Sequence, residues 1–316
     1  MRIYYATDLH GSDKCWKKFL AAPKYYQADV IIMGGDITGK FIVPIIHLPK
    51  GRFGATFMGQ KRQMKKQDEV DKLKQQIANT GQYAFDITPE QYEEYDKTPS
   101  LLDDIFKKLL LERVEQWINM ADERLRGQNV RCFVTGGNDD MFEVDDVIAR
   151  SELIEDHDGK VIELADGFEL LGLGYSNITP WHCPRDIPEE ELAVKIDELA
   201  SRVKRMDRAI FDIHVPPYDT DIDKAPELDA NMQMSMSATG EPKMIPVGST
   251  AVREAILKYQ PMLGTHGHIH ESSGIRKLGK TTLANPGSEY AEGILRGALI
   301  EIDPKEGLVK VNLVAG

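Results

Sequence analysis

Five short stretches of the chain carry residue types that bind metal ions. They are Asp8-Leu9-His10, Gly35-Asp36, Gly137-Asn138, the single His214, and Gly267-His268-Ile269-His270. Carboxylate and amide oxygens mixed with imidazole suit Mn²⁺ first, and also Fe or Zn²⁺. The seven side chains Asp8, His10, Asp36, Asn138, His214, His268 and His270 are too many for one catalytic ion that keeps an open position. They suit two ions sharing a carboxylate, the arrangement that clamps both oxygens of an in-line phosphoryl displacement. Each piece alone is weak. An Asp after a strand is ordinarily a turn residue, and a lone His214 would ordinarily be structural. The signal lies in the ordered set, with each member at the end of an element.

Those elements read as strands. Arg2–Thr7 is β-prone and runs directly into Asp8. Ala28–Met33 is a continuous apolar run ending at Gly34-Gly35-Asp36, as suits a strand buried on both faces. Val130–Thr135 ends at Gly136-Gly137-Asn138, Ala209–Ile213 at His214, and the short Met262–Thr265 at His266. Polar residues just past strand ends are where open α/β sheets bind ligands. Further strands are expected at Phe168–Gly174, Thr281–Ala284, Ala298–Ile302 and Val309–Val314. Helices are expected from Ser12 to about Ala22, over Glu189–Met206 and over Thr250–Tyr259, with Val215–Ser249 a long loop. The Met232, Met234 and Met236 stretch reads as part of that loop rather than as a metal site. Residues 41–129 carry little strand signal, and Gln60–Thr80 and Ser100–Leu125 show helical spacing. The expectation is one domain over 1–316 with a mostly helical insertion at 41–129.

Composition narrows the partners. The chain of 316 residues has a net charge of −12, which argues against a broad basic face, so no nucleic-acid partner is expected. Cys15, Cys132 and Cys183 are odd in number and widely spaced. They make neither a disulfide framework nor a CxxC zinc site, which points to a reducing compartment. No apolar run approaches the length of a membrane span, about 18 residues, and the start lacks the apolar stretch of a signal peptide. A cytoplasmic protein without a membrane partner is expected.

On its motifs, together with Asn285-Pro286-Gly287-Ser288, the chain resembles the calcineurin-like metallophosphoesterase superfamily, and most of all its small bacterial and archaeal members. The resemblance covers about 1–40 and 130–316 and omits the insertion. It implies an α/β fold, a four-layer α/β/β/α sandwich of two mixed sheets. It implies that Asp8, His10, Asp36 and His270 hold one metal, and that Asp36 as the bridge, Asn138, His214 and His268 hold a second. It implies hydrolysis of a small phosphomonoester or phosphodiester by in-line attack of a metal-bridging hydroxide, with Asp36, Asn138 and His214 in the catalytic machinery, to which Asp139 is added by its place beside Asn138. The alternative is a non-catalytic, metal-binding scaffold on the same fold.

One position departs from the family pattern. Most members have His after the asparagine of the third motif, whereas this chain has Asp139 and then Asp140. An aspartate protonates a leaving group only if its pKa is raised, so Asp139 is read as orienting a metal ligand from behind it. His266, His182 and His47 are proton donors by residue type alone. Lys40 is either a point charge for a phosphate or an exposed loop lysine. The stem of the insertion, Lys40–His47, is expected to border the pocket. Its helices would pack on the core or on a second copy, giving a homodimer.

Overall fold

The computed structural model describes residues 1–237 and 239–316. In chain order the main elements are β1 (Arg2–Ala6), α1 (Asp13–Phe19), α2 (Ala22–Tyr26), β2 (Val30–Gly34), β3 (Ile42–Leu48), β4 (Arg52–Phe57), β5 (Gln60–Met64), α3 (Gln67–Asn79), β6 (Tyr83–Ile87), α4 (Pro89–Lys97) and α5 (Leu101–Leu125). There follow β7 (Arg131–Thr135), α6 (Glu143–Ile148), β8 (Ile154–Asp156), β9 (Lys160–Glu163), β10 (Glu169–Leu173), β11 (Ser176–Asn177), β12 (Asp186–Ile187), α7 (Glu189–Ala200), β13 (Ala209–Ile213), β14 (Lys224–Pro226) and β15 (Met244–Pro246). The chain closes with α8 (Thr250–Tyr259), β16 (Leu263–Thr265), β17 (Gly274–Leu278), β18 (Thr281–Asn285), β19 (Arg296–Asp303) and β20 (Gly307–Ala315).

Two sheets form the centre. The first has the order β20-β19-β1-β2-β7-β8, with β1, β2, β7 and β8 parallel. The second has the order β10-β13-β16-β18-β17, parallel except for the edge strand β17. Side chains alternate between the faces of a strand, and the buried clusters follow that alternation. In β1, Tyr4 and Ala6 face the helices while Ile3 and Tyr5 face the other sheet. In β2, Ile31 and Met33 divide from Val30 and Ile32 in the same way. In β13, Phe211 and Ile213 face α7 and α8 while Ile210 faces the first sheet. Three apolar interfaces therefore separate four layers: α1, α2, α5 and α6, then the two sheets, then α7 and α8. This is the expected α/β/β/α sandwich.

Residues 41–129 hold three helices and, beyond what the sequence signalled, four strands. Helix α5 belongs to the sandwich. Its residues Leu110, Val114, Trp117, Ile118, Ala121 and Leu125 recur at helical spacing and pack on the first sheet. Trp117 stacks on Trp16 with ring centroids 4.9 Å apart. α5 is thus the crossover that parallel β2 and β7 require. What remains is a separate four-stranded sheet, β5-β4-β3-β6, followed by α4. Helix α3 covers this sheet, and Val43, Ile45, Ala55, Phe57, Met64, Val70, Leu73 and Ile77 form a core of their own. Its strands are hard to read because β3 contains Pro44, β4 contains Gly54 and β5 is charged. The β3–β4 ladder begins only at Ile46, so the missing N–H of Pro44 interrupts no bond on that side. Elsewhere α7 ends at Ala200, short of Met206, and the 215–249 loop holds a small β14–β15 hairpin.

Candidate metal centre

The parallel strands end on one side of the sandwich, and the turns beyond them carry the predicted residues. Asp8 N donates to Gly35 O at 3.0 Å and His10 N to Asp36 O at 2.9 Å, which ties the first two turns together. His214 N donates to Leu173 O and Gly267 N to His214 O, each at 2.9 Å, which joins the turns of the second sheet. Gly35 is required by close approach, since a Cβ there would lie 2.6 Å from His214 Nδ1 and 2.7 Å from Gly137 Cα. Asp8, His10, Asp36 and His268 have φ of 56°, 40°, 50° and 64°, in the left-handed region that L-residues seldom occupy. Strain of this kind gathers at functional sites, where the surrounding structure enforces it.

The seven predicted ligands converge. His10 Nε2 lies 3.1 Å from His270 Nε2, and His270 Nε2 lies 3.4 Å from Asp8 Oδ1. His214 Nε2 lies 3.4 Å from Asp36 Oδ1 and 3.8 Å from Asp8 Oδ1. Asn138 Oδ1 faces His268 Nδ1 at 2.8 Å. Asp8, His10 and His270 form one group, and Asp36, His214 and His268 a second, each with donor atoms within 4.8 Å of one another. A third group joins His10, Asp36 and Asp139, so Asp139 stands inside the cluster rather than behind it. The side-chain atoms His214 Nε2 and His10 Nδ1 are buried without a hydrogen-bond partner. Lone pairs and carboxylates crowded together in a dry pocket fit divalent cations, which would satisfy the one and neutralise the other.

The electrostatics carry the same mark. Burial alone would raise Asp36, but the neighbouring His214 and His10 hold its carboxyl well below the ordinary range. Burial opposes a charge on His214, yet Asp36 and Asp8 raise it to about 10. Burial lowers His10 to about 3 and His268 to about 4, so both rings are neutral at pH 7. Burial and the charge of Asp36 raise Asp139, against the pull of Lys40. Lys40 Nζ sits 2.7 Å from Asp139 Oδ2, which places the lysine in the site rather than in an open loop.

Several contacts support these side chains, and of the groups that make them only the Asn285–Ser288 turn carried a signal in the sequence. Asp186 Oδ1 accepts from Asn138 Nδ2 at 2.8 Å and so turns Asn138 Oδ1 toward the cluster. His214 Nδ1 meets Gly34 O at 2.8 Å, leaving Nε2 for the carboxylates. Asp140 accepts from Gly137 N, Ile37 N, Thr38 N and Thr38 Oγ1, so it clasps the second and third turns together. Asn285 Nδ2 donates to Gly267 O and Ile269 O, and Ser288 Oγ to Asp8 O, so the Asn285–Ser288 turn braces both ends of the site. Tyr290 lies 4.8 Å from the His10 ring and 5.9 Å from that of His270, beside a hollow of about 390 Å³ lined also by Ser273 and Arg296. The three proton-donor histidines stand apart. His47 pairs with Asp86 at 3.0 Å, His266 is buried with Nδ1 on Ile213 O at 2.8 Å, and His182 is exposed.

No family profile matches the chain. An uncharacterized protein of Methanocaldococcus jannaschii is 34% identical over 152 residues, which is 48% of this chain and 61% of that relative. One crystal structure superposes with a TM-score of 0.58 at 15% identity, covering 99% of this chain and 98% of its own. TT1561 of Thermus thermophilus superposes at 0.52 with 14% identity, covering 100% of this chain and 97% of its own. An archaeal phosphodiesterase aligns over 100% of this chain and 99% of its own at 10% identity, but its TM-score of 0.37 is too slight to argue from. Two facing mixed sheets, with their parallel strand ends opening onto one cluster of aspartates and histidines, give the chain an α/β/β/α sandwich that it shares along its length with the first two of these structures.

Proposed function

We propose that the protein is a metal-dependent phosphoesterase with a dinuclear centre, acting on a phosphomonoester or phosphodiester. The observation that carries this reading is the convergence of seven donors from five strand ends, with His10 Nε2 3.1 Å from His270 Nε2, His270 Nε2 3.4 Å from Asp8 Oδ1, and His10 Nδ1 and His214 Nε2 buried without a hydrogen-bond partner. Asp8, His10 and His270 would hold one ion, and Asn138, His214 and His268 the other, with Asp36 shared. Two divalent ions, Mn²⁺ foremost, supply an activated water and neutralise charge on the phosphoryl oxygens.

The remaining work falls to the chain's own residues. Lys40 offers a fixed positive charge to a phosphate oxygen, and Asp139 holds it in place at 2.7 Å. Asp186 orients Asn138, and Tyr290 walls one side of the site. The buried setting of the carboxylates strengthens every charge interaction with the substrate. The test compares protein loaded with Mn²⁺ and protein stripped with chelator on a monoester and a diester reporter. Hydrolysis by the loaded form alone is expected, with Lys40→Ala raising KM more than it lowers kcat. A loaded protein silent on both reporters overturns the reading.

A further inference from the structure

Residues 40–67 contain Lys40, Lys50, Arg52, Lys61, Arg62, Lys65 and Lys66 and no Asp or Glu. This stretch carries +7 in a chain of net charge −12, so the rest carries −19. A total of −12 argues against a polyanionic partner only if the charge is evenly spread, and it is not. Lys40 meets Asp139 at the metal centre. The other six are exposed, and none is ion-paired with a carboxylate among the described residues. Elsewhere on the surface Lys107, Arg131, Arg205 and Lys258 each meet one. Arg52 and Arg62 donate only to Pro49 O and Gln60 Oε1, and Glu69 accepts from the backbone of Lys65 and Lys66 rather than from their ammonium groups. Like charges gathered on one hairpin repel each other, and among the described residues only the neighbouring carboxylate of Glu69 acts on any of them, at Lys65 and Lys66.

The six share one structural device. Lys50 lies in the β3–β4 turn, Arg52 opens β4, Lys61 and Arg62 lie in β5, and Lys65 and Lys66 follow it. β5 is the edge of its sheet and is exposed except at Met64. β3 begins two residues after Lys40, and β4 runs back antiparallel to it. The Met58-Gly59 turn therefore lies toward the end of the sheet nearest Lys40, and β5 leads away from it. Phe41 and Met58, 63% and 74% exposed, stand at that near end.

We propose that the β4–β5 hairpin binds a single-stranded nucleic acid through its phosphates and leads an extended phosphodiester strand to the metal centre. The proposal rests on the phosphoesterase reading and names its substrate class. Cations that track a backbone, with an exposed aromatic beside them, hold single strands without regard to sequence. The rest of the chain, at −19, repels such a polyanion and so favours this edge. Anionic lipid headgroups offer the same phosphate chemistry and are the competing source.

The test uses the full chain treated with chelator, so that binding is read without turnover. Anisotropy of a labelled oligothymidylate is followed against salt for the parent and for Lys61→Gln/Arg62→Gln/Lys65→Gln/Lys66→Gln. Lys50→Gln/Arg52→Gln serves as a second variant on the opposite turn. In the parent, log affinity is expected to fall with log salt by about 0.7 per phosphate neutralised, and the fourfold variant to bind about tenfold or more weaker with a flatter slope. Both variants, loaded with Mn²⁺, are expected to hydrolyse a small diester reporter as the parent does, which also shows that they fold. Equal or absent strand binding in parent and variants, with the reporter still hydrolysed, overturns the proposal and leaves the phosphoesterase reading standing. Binding to phosphatidylserine vesicles but not to the strand overturns it in favour of a membrane. A loaded parent that binds the strand but hydrolyses no ester overturns both the phosphoesterase reading and the delivery of substrate.

Discussion

The metal centre and the sheet of residues 42–87 touch each other and are built on opposite terms. The centre is buried, rich in carboxylate and imidazole, and fixed by hydrogen bonds from turn to turn. The neighbouring sheet is exposed at its edge, cationic, and held by a small core of its own. They join where side chains are missing. A Cβ on Gly39 would lie 2.0 Å from Gly81 O, and one on Gly81 2.0 Å from His10 O. Tyr83 OH accepts from Gly39 N at 2.7 Å across the same seam. Strands that must exist for the fold can thus aim the clustered side chains, with the added cost confined to the left-handed turns beyond their ends. A unit with its own core is instead free to vary its surface, and here that surface has become basic.

The sharpest test of this division is at the centre. Asp36→Ala is expected to bring ester hydrolysis to background and to remove bound metal, read by elemental analysis of the purified protein. Metal retained at the parental level would break the assignment of Asp36 to both ions. Next comes stability. Trp117→Ala, at the α1–α5 contact of the sandwich, is expected to cost about 3–5 kcal/mol of global stability by denaturant melts. Phe57→Ala, in the smaller core, is expected to show mainly as faster hydrogen exchange and proteolysis within residues 42–87. If Phe57→Ala lowers the global transition as much as Trp117→Ala does, the two regions form one cooperative unit and the contrast fails.

A subtler effect is expected from Asp186→Ala, which frees the amide of Asn138. Metal affinity should fall about 10–100-fold with little change in melting of the metal-free protein. The smallest effect is a proton count. His214 is raised to about 10 by Asp36 and Asp8, so in metal-free protein at pH 7 it carries a proton that a metal must displace. Calorimetry of Mn²⁺ binding in buffers of different ionisation enthalpy should show proton release near pH 7 that fades as pH approaches 10. The same shift sets the sign for stability. The charged His214 stabilises the metal-free fold fully below the ordinary histidine value, about 6.5, and that contribution is lost as pH rises through about 10. Binding without any proton release at pH 7 would place His214 outside the metal cluster.

The centre was legible because each of its residues follows an apolar run long enough to be a strand, so order along the chain stood in for position in space. Asp186 was not legible. It lies 48 residues from Asn138, at the start of the two-residue strand β12, and no periodicity links the two. Helix α5 shows the limit of periodicity in another way. The spacing of Leu110, Val114, Trp117 and Ala121 declares one buried face but not which surface buries it, so the helix read as part of an insertion although it closes a βαβ crossover. The sheet of 42–87 was masked by Pro44, by Gly54 and by the charges of β5, each of which lowers strand propensity while tolerated at its place in the ladder. Charge summed over the whole chain likewise hid the basic hairpin.

The left-handed backbone at Asp8, His10, Asp36 and His268 has a consequence for descent. At those four positions glycine, and in part asparagine, would relieve the conformation that an aspartate or histidine must endure. At His10 and His268, whose rings are neutral, such a substitution would relax the backbone of the metal-free protein, whereas Asp8 and Asp36 also accept from His268 N and Asp139 N and offset the charge of His214, so the gain there is opposed. A lineage released from selection for the proposed activity should therefore drift toward Gly and Asn at His10 and His268 first. The two histidines are held against the local preference of the backbone, and bound metal would supply the compensation.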